Sequence, residues 1–216
     1  VPVDISVDAP DESARVLSAA YSALTVEPIA GEYRRGLQWL ADNSTQERLV
    51  LWLGSNVGNF SRPEATEFLS AVRASLSGED RLLIGVDLRK GKAVLEAAYD
   101  DAQGVTARFN KNLLTRINRE LGGSFDPDAF EHRVSYDEDT GHVSSYLVCR
   151  DACTVRIEAL DLDVSFEHRE SIHTEDSVKY SPEEIDTLAA TSGFRVQTRW
   201  LDANGRFALS LFAPAV

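Results

Sequence analysis

The chain has 216 residues, 43% of them hydrophobic and 26% charged, with a formal net charge of −13 from 35 acidic and 22 basic side chains. That length supports one large domain or two small ones with a real core, and the composition is ordinary for a globular protein. The acidic balance argues against a nucleic-acid partner, whose backbone needs clustered Lys and Arg. No apolar run reaches the length of a membrane span, and V-P-V-D-I-S is no signal peptide, so a cytoplasmic location is expected. With no methionine anywhere, the chain reads as a fragment starting inside a strand.

Residues 1–6 read as a short apolar strand ending near Asp4. Pro10 opens a helical pattern, with Ala14, Val16, Leu17 and Ala20 on one broad face and Asp11 and Glu12 at its positive end. A second strand is expected at 24–29, closed by Ala30 and Gly31. The continuous apolar run R-L-V-L-W-L at 48–53 marks a strand buried on both faces, ended by Gly54. Pro63 marks a helix N-terminus ahead of Phe68, Leu69, Val72 and Leu76, and 81–88 is another buried strand. This alternation predicts an α/β fold with a mostly parallel sheet and helical crossovers.

Beyond residue 90 the texture changes. Helices are expected at 93–100 and 105–121, the second with Phe109, Leu113, Ile117 and Leu121 at helical spacing. Alternating strands follow at 131–136, 142–148, 154–158 and 162–166. Ser181-Pro182-Glu183-Glu184 starts a capped helix, and 194–201 and 206–212 form a hairpin. The predicted organisation is a body of residues 1–89 and 180–216 interrupted by an α+β lobe, 90–179.

In open α/β sheets, ligands bind beyond the carboxyl ends of the strands. Asp4 closes the first strand, where a carboxylate suits a ribose diol. Glu32 and Tyr33 follow the second and suit the amino group and face of an adenine. Gly54 ends the third and admits a ligand close to the backbone. Each alone is ordinary turn chemistry, but three in register on successive strands favour a nucleotide-like cofactor. Asn59 offers an amide donor and acceptor for an amino-acid head group, or else caps the helix near Pro63. Tyr99 either lies on the surface or extends its phenol into the same space. Glu175 and Ser177 share one face of a strand, where an acid and a hydroxyl match the two nitrogens of an imidazole; a solvated edge strand gives the same pattern. Asp176 points away, and His173 is expected to be exposed. Cys149 and Cys153, with His132 and His142 nearest, read as reduced thiols and not as a metal site.

These residues resemble the histidine-specific, S-adenosylmethionine-dependent methyltransferases of ergothioneine biosynthesis. The resemblance covers nearly the whole chain: V-P-V-D-I-S, L-G-S-N-V-G-N-F, A-Y-D-D-A-Q-G-V-T-A-R-F-N-K-N-L-L-T-R-I-N-R-E-L, D-A-F-E-H and T-E-D-S-V-K-Y. It implies a class I methyltransferase (Rossmann-like) sheet, incomplete at its N-terminus, with an inserted substrate lobe. It implies S-adenosylmethionine as cofactor, with its ribose at Asp4, its adenine at Glu32 and Tyr33, and its donor end near Gly54. It implies L-histidine as substrate, held by Asn59 and Tyr99 at its amino-acid end and by Glu175 and Ser177 at its ring, with Asn56 and Phe109 lining the pocket. The product would be the trimethylated betaine hercynine. The family's first strand, glycine-rich loop and N-terminal tyrosines have no counterpart here, so this chain alone is expected to be inactive. No general base is assigned. Two alternatives stay open: an N-methyltransferase for another aromatic amino acid or amine, and a non-catalytic ligand-binding module. The sequence does not indicate an oligomeric state.

Overall fold

The computed structural model describes residues 1–43 and 47–215, and it opens on two minimal strands. β1 (Val3–Asp4) and β2 (Ile29–Ala30) pair in parallel, and the Gly31 N–H donates to the Asp4 carbonyl. Both are shorter than 1–6 and 24–29 predict. Pro28, which has no N–H to give to a ladder, stands directly before Ile29. α1 (Asp8–Ala20) connects them, but only its Pro10 is buried; Val16 and Leu17 of the expected apolar face are exposed. α2 (Tyr33–Asp42) is an element the sequence reading did not contain. Gly36 in its middle disfavours a helix by about 1 kcal/mol. Yet a Cβ there would sit 2.8 Å from Val3 Cγ2, so this glycine is what lets α2 lie against β1.

β3 (Leu49–Trp52) pairs in parallel with β4 (Arg81–Asp87), and β11 (Phe207–Pro214) and β10 (Phe194–Leu201) extend the sheet antiparallel in the order β10-β11-β4-β3. α3 (Arg62–Ala74) makes the crossover between β3 and β4, and α6 (Pro182–Thr191) precedes β10. Each starts with a reciprocal capping box, Ser61 with Glu64 and Ser181 with Glu184. Ser61, not Asn59, is therefore the cap near Pro63. Leu69 and Val72 of α3, Leu82 and Ile84 of β4, Ile185 of α6 and Phe212 of β11 fill one core.

The expectation that 48–53 is buried on both faces is corrected: Leu49 and Leu51 are 56% and 57% exposed. Among the described residues β3 ends its sheet, and β1–β2 forms a separate pair. Leu49, Leu51 and Trp52 face an apolar groove of about 750 Å³ whose other walls include Val3, Leu37 and Trp39. The three strand ends taken as adjacent thus fall in two different sheets, Asp4 and Gly31 in one and Gly54 in the other.

α4 (Lys92–Tyr99) and α5 (Val105–Leu121) lead into an antiparallel sheet of order β5-β6-β9, formed by β5 (Phe130–Tyr136), β6 (His142–Cys149) and β9 (Ser171–Val178). β7 (Cys153–Ile157) and β8 (Leu162–Phe166) form a hairpin of their own. Leu114 of α5 packs with Phe125, Phe130, Leu147 and Phe166 in a second core. The buried stripe of α5 runs through Asn110 and Leu114, leaving Phe109 and Leu113 outside. Cys149 and Cys153 are free thiols with sulfurs 3.4 Å apart, and burial pushes the Cys149 thiol up to about 11. No described helix is long and apolar enough to cross a membrane.

Arg48 clamps the leading ends of β3 and β4. Its Nη2 lies 2.7 Å from Asp80 Oδ2, its N–H donates to Asp80 Oδ1 at 2.8 Å, and its guanidinium also reaches the carbonyls of Leu40 and Ser75. Burial alone would raise the Asp80 carboxyl, but hydrogen bonds from Arg48 and Ser77 outweigh it and hold the group at about 2. Asp80→Ala leaves a largely buried guanidinium without its partner and should cost about 3–5 kcal/mol, measured by urea unfolding. The folded value lies below the ordinary 3.8. Its stabilisation is therefore full above the ordinary value and is lost as pH falls toward the folded one. The stabilities of wild type and Asp80→Asn should converge over that acid range.

Candidate functional site

After β3 the chain turns abruptly. Gly54 and Ser55 both take positive φ, 73° and 61°, and a 3-10 turn, Asn56–Asn59, follows. A serine in that conformation is strained, and two bonds hold it there. The Asp87 N–H donates to Ser55 Oγ at 2.9 Å, and Asn56 Nδ2 donates to the Leu53 carbonyl at 2.9 Å. The turn is thereby pinned to the end of β4. Gly58 then packs against the end of β9: a Cβ there would lie 2.8 Å from the Val178 carbonyl oxygen. The missing side chain is what brings the Asn56–Asn59 turn against Ser177.

The result is a pocket of about 350 Å³. Gly54, Asn56 and Asn59 line it from the turn, and Tyr99, Glu175 and Ser177 line it from α4 and β9. These six are sequence-predicted site residues, drawn together from three separate stretches of chain. Asn59 and Glu175, the two residues expected at opposite ends of one amino acid, share the cavity. The other four predicted residues do not line it. Phe109 is 71% exposed on α5, and Asp4 and Glu32 are exposed at the ends of their strands. Tyr33 sits 5.5 Å from the Phe68 ring, at the apolar groove.

Lys179 also lines the pocket, and the sequence reading missed it. Only 1% exposed, it places Nζ 2.6 Å from Tyr99 Oη, 2.8 Å from Ser177 Oγ and 3.1 Å from Asp87 Oδ2. Tyr99 Oη in turn donates to Ser177 Oγ at 3.0 Å. The other Asp87 oxygen pairs with Lys90. The signal was present: Lys179 continues the alternation that puts Glu175 and Ser177 on one face. Asp176, on the opposite face, accepts from Ser144 Oγ at 2.5 Å and meets His173 Nε2 at 2.9 Å. Burial would raise its carboxyl, but those two bonds hold it low.

The wall therefore carries two carboxylates, Asp87 and Glu175, three hydroxyls, Ser55, Tyr99 and Ser177, two amides and a lysine. That donor set fits a small zwitterion with a polar ring. Among the described residues no group of three or more His, Cys, Asp or Glu is placed to hold a metal ion. The strand tips also fit a nucleoside-type group. A Cβ on Gly54 would meet only Asn56 Nδ2, at 3.9 Å, so the backbone is open to close approach. Asp4 receives the Ser6 N–H on Oδ1 at 2.8 Å, and its carboxylate otherwise faces solvent.

The architecture is that of a class I S-adenosylmethionine-dependent methyltransferase. A solved methyltransferase of that kind from Clostridium acetobutylicum matches with a TM-score of 0.50 at 10% identity, over 99% of this chain and 74% of that one. The chain belongs to the histidine-specific, SAM-dependent methyltransferase family, whose family model matches residues 1–214. It is 38% identical over 211 residues to the histidine N-alpha-methyltransferase of Mycolicibacterium smegmatis, covering 98% of this chain and 65% of that protein. With the protein of the same name from Mycobacterium tuberculosis it shares 35% over 213 residues, 99% of this chain and 66% of that protein. The chain thus spans just under two-thirds of the length of these relatives.

Gly58→Ala tests the packing that closes the pocket. Its Cβ must displace the turn from β9, at a cost of about 1–3 kcal/mol. Thermal melting should show that loss.

Proposed function

We propose that this chain carries the histidine-reading pocket of an Nα-methyltransferase, which moves three methyl groups from S-adenosylmethionine to the α-amine of L-histidine and yields hercynine for ergothioneine biosynthesis. The observation that carries this reading is that Asn59, Glu175 and Ser177 line one cavity of about 350 Å³, within the range of small-ligand sites. Residues 1–89 and 180–216 act as the cofactor body in this reading, and 90–179 as the substrate lobe.

The Asn59 amide and the Tyr99 phenol hold the amino-acid end. Glu175 accepts the ring N–H, and Ser177 meets the other ring nitrogen. With both ends fixed, only the amine remains free to turn, so the protein contributes chiefly orientation. Asp4 would hold the cofactor's ribose, Glu32 and Tyr33 its adenine, and Gly54 its donor end. When bound, S-adenosylmethionine supplies an electrophilic methyl group carried on a sulfonium. Phe109 points outward on α5 and has no part in this reading. An indole offers a single N–H and leaves Ser177 unmatched, which favours histidine over tryptophan-type substrates.

Glu175→Ala leaves the ring N–H without an acceptor, a cost of about 1–3 kcal/mol. Histidine affinity should then fall roughly tenfold to a hundredfold by calorimetry; an unchanged affinity overturns the reading. Mass spectrometry for mono-, di- and trimethylhistidine tests the transfer itself.

A further inference from the structure

Lys179 has three N–H donors. It donates to Tyr99 Oη at 2.6 Å and Ser177 Oγ at 2.8 Å, and it forms an ion pair with Asp87 Oδ2 at 3.1 Å. The side chain is buried, and it lies over the Tyr99 ring, 4.7 Å from the centroid. A lysine so enclosed is committed to Tyr99 and Ser177 by its hydrogen bonds and to Asp87 by charge. Its effect must pass through the groups it touches.

The hydrogens in this cluster can be assigned in order. Tyr99 Oη receives from Lys179 and spends its own hydrogen on Ser177 Oγ, 3.0 Å away. A phenolic O–H is a stronger donor than an aliphatic one, which favours this direction. Ser177 Oγ then accepts two hydrogen bonds, one from Lys179 and one from Tyr99. A hydroxyl has two lone pairs and one hydrogen. Both lone pairs are occupied, so the only capacity Ser177 has left is to donate.

We propose that Lys179 is a positioning residue that fixes the direction of the Ser177 hydroxyl, so that Ser177 can only donate to a ligand and the pocket selects a ring carrying a bare nitrogen opposite it. Glu175, on the same face, can only accept when ionised. The two side chains together demand a ring with one N–H and one bare nitrogen. Neutral imidazole meets that demand; a ring with hydrogens on both nitrogens, or with only one nitrogen, does not. Asp87 holds Lys179 in place, and Lys90 holds Asp87. The selectivity thus traces back to Asp87 at the end of β4, which lines the same pocket.

This inference rests on the histidine reading, and the experiment separates the two. The probes are L-histidine and the two pyrrolylalanines, each of which keeps one ring N–H and has carbon at the other nitrogen position. Wild type should bind histidine about tenfold more tightly than either pyrrolylalanine, the worth of one hydrogen bond. In Lys179→Met that preference should shrink to about twofold, and Ser177→Ala should do the same. The double variant should shrink it no further, because both changes remove one shared interaction. A Lys179 that merely supports the fold would weaken all three ligands equally and leave the preference intact, which overturns the proposal. Wild type binding a pyrrolylalanine as well as histidine overturns it whether or not Lys179→Met folds. Histidine affinity unmoved by Glu175→Ala overturns the histidine reading itself.

Discussion

One backbone crossing organises this molecule. At the end of β9 the chain returns to the four-stranded sheet, and Tyr180 bridges in parallel to Leu88. The Tyr180 N–H donates to the Asp87 carbonyl, and its carbonyl accepts the Arg89 N–H. Val178 and Tyr180, on one side of the strand, join the core of that sheet. Ser177 and Lys179, on the other side, are held against Asp87 and the turn after β3. A strand has period two, so a slip of one residue here would exchange the two sets. Lysine would enter the core, and the pocket would lose its hydroxyl.

Much of the fold was legible because strong local patterns agreed with the tertiary result. The crossover helix α3 and the helix α6 carry their capping boxes in sequence, S-R-P-E and S-P-E-E, and both begin where those boxes say. The strands β5 to β8 form close to where their alternation places them, although β7 and β8 pair as a hairpin apart from the β5-β6-β9 sheet. What failed depended on distant neighbours. α2 contains Gly36, a poor helix former, and its reason for being there is Val3, more than thirty residues away. The apolar run of β3 reads as buried on both faces, and its exposure follows from its place at the edge of a sheet, which no local pattern states.

The site shows the same division. The shared face of Glu175 and Ser177 was legible from spacing, since alternation along a strand is local. Asn59 required knowing that Ser61 takes the capping role, which leaves the asparagine to the pocket. Lys179 was hidden by its type: a lysine beside an apolar core is read as a surface residue. Only its partners, Asp87 and Tyr99 from other stretches and Ser177 two residues back on the same face, make its burial tolerable. Phe109, given a pocket role by the resemblance, is exposed here, because α5 buries the neighbouring stripe through Asn110 and Leu114.

The Arg48–Asp80 clamp and the ligand-facing turn lie at opposite ends of the same two strands. The clamp sits before Leu49 and Arg81, and the turn follows Trp52 and meets Asp87. Four residues of β3 separate them, about 13 Å, and no side chain is shared between the two clusters. Sequence drift at the turn can therefore reshape the pocket wall without loosening the anchorage of the parallel pair. A lineage of such proteins could diversify its chemistry at one rim while inheriting its rigidity from the other.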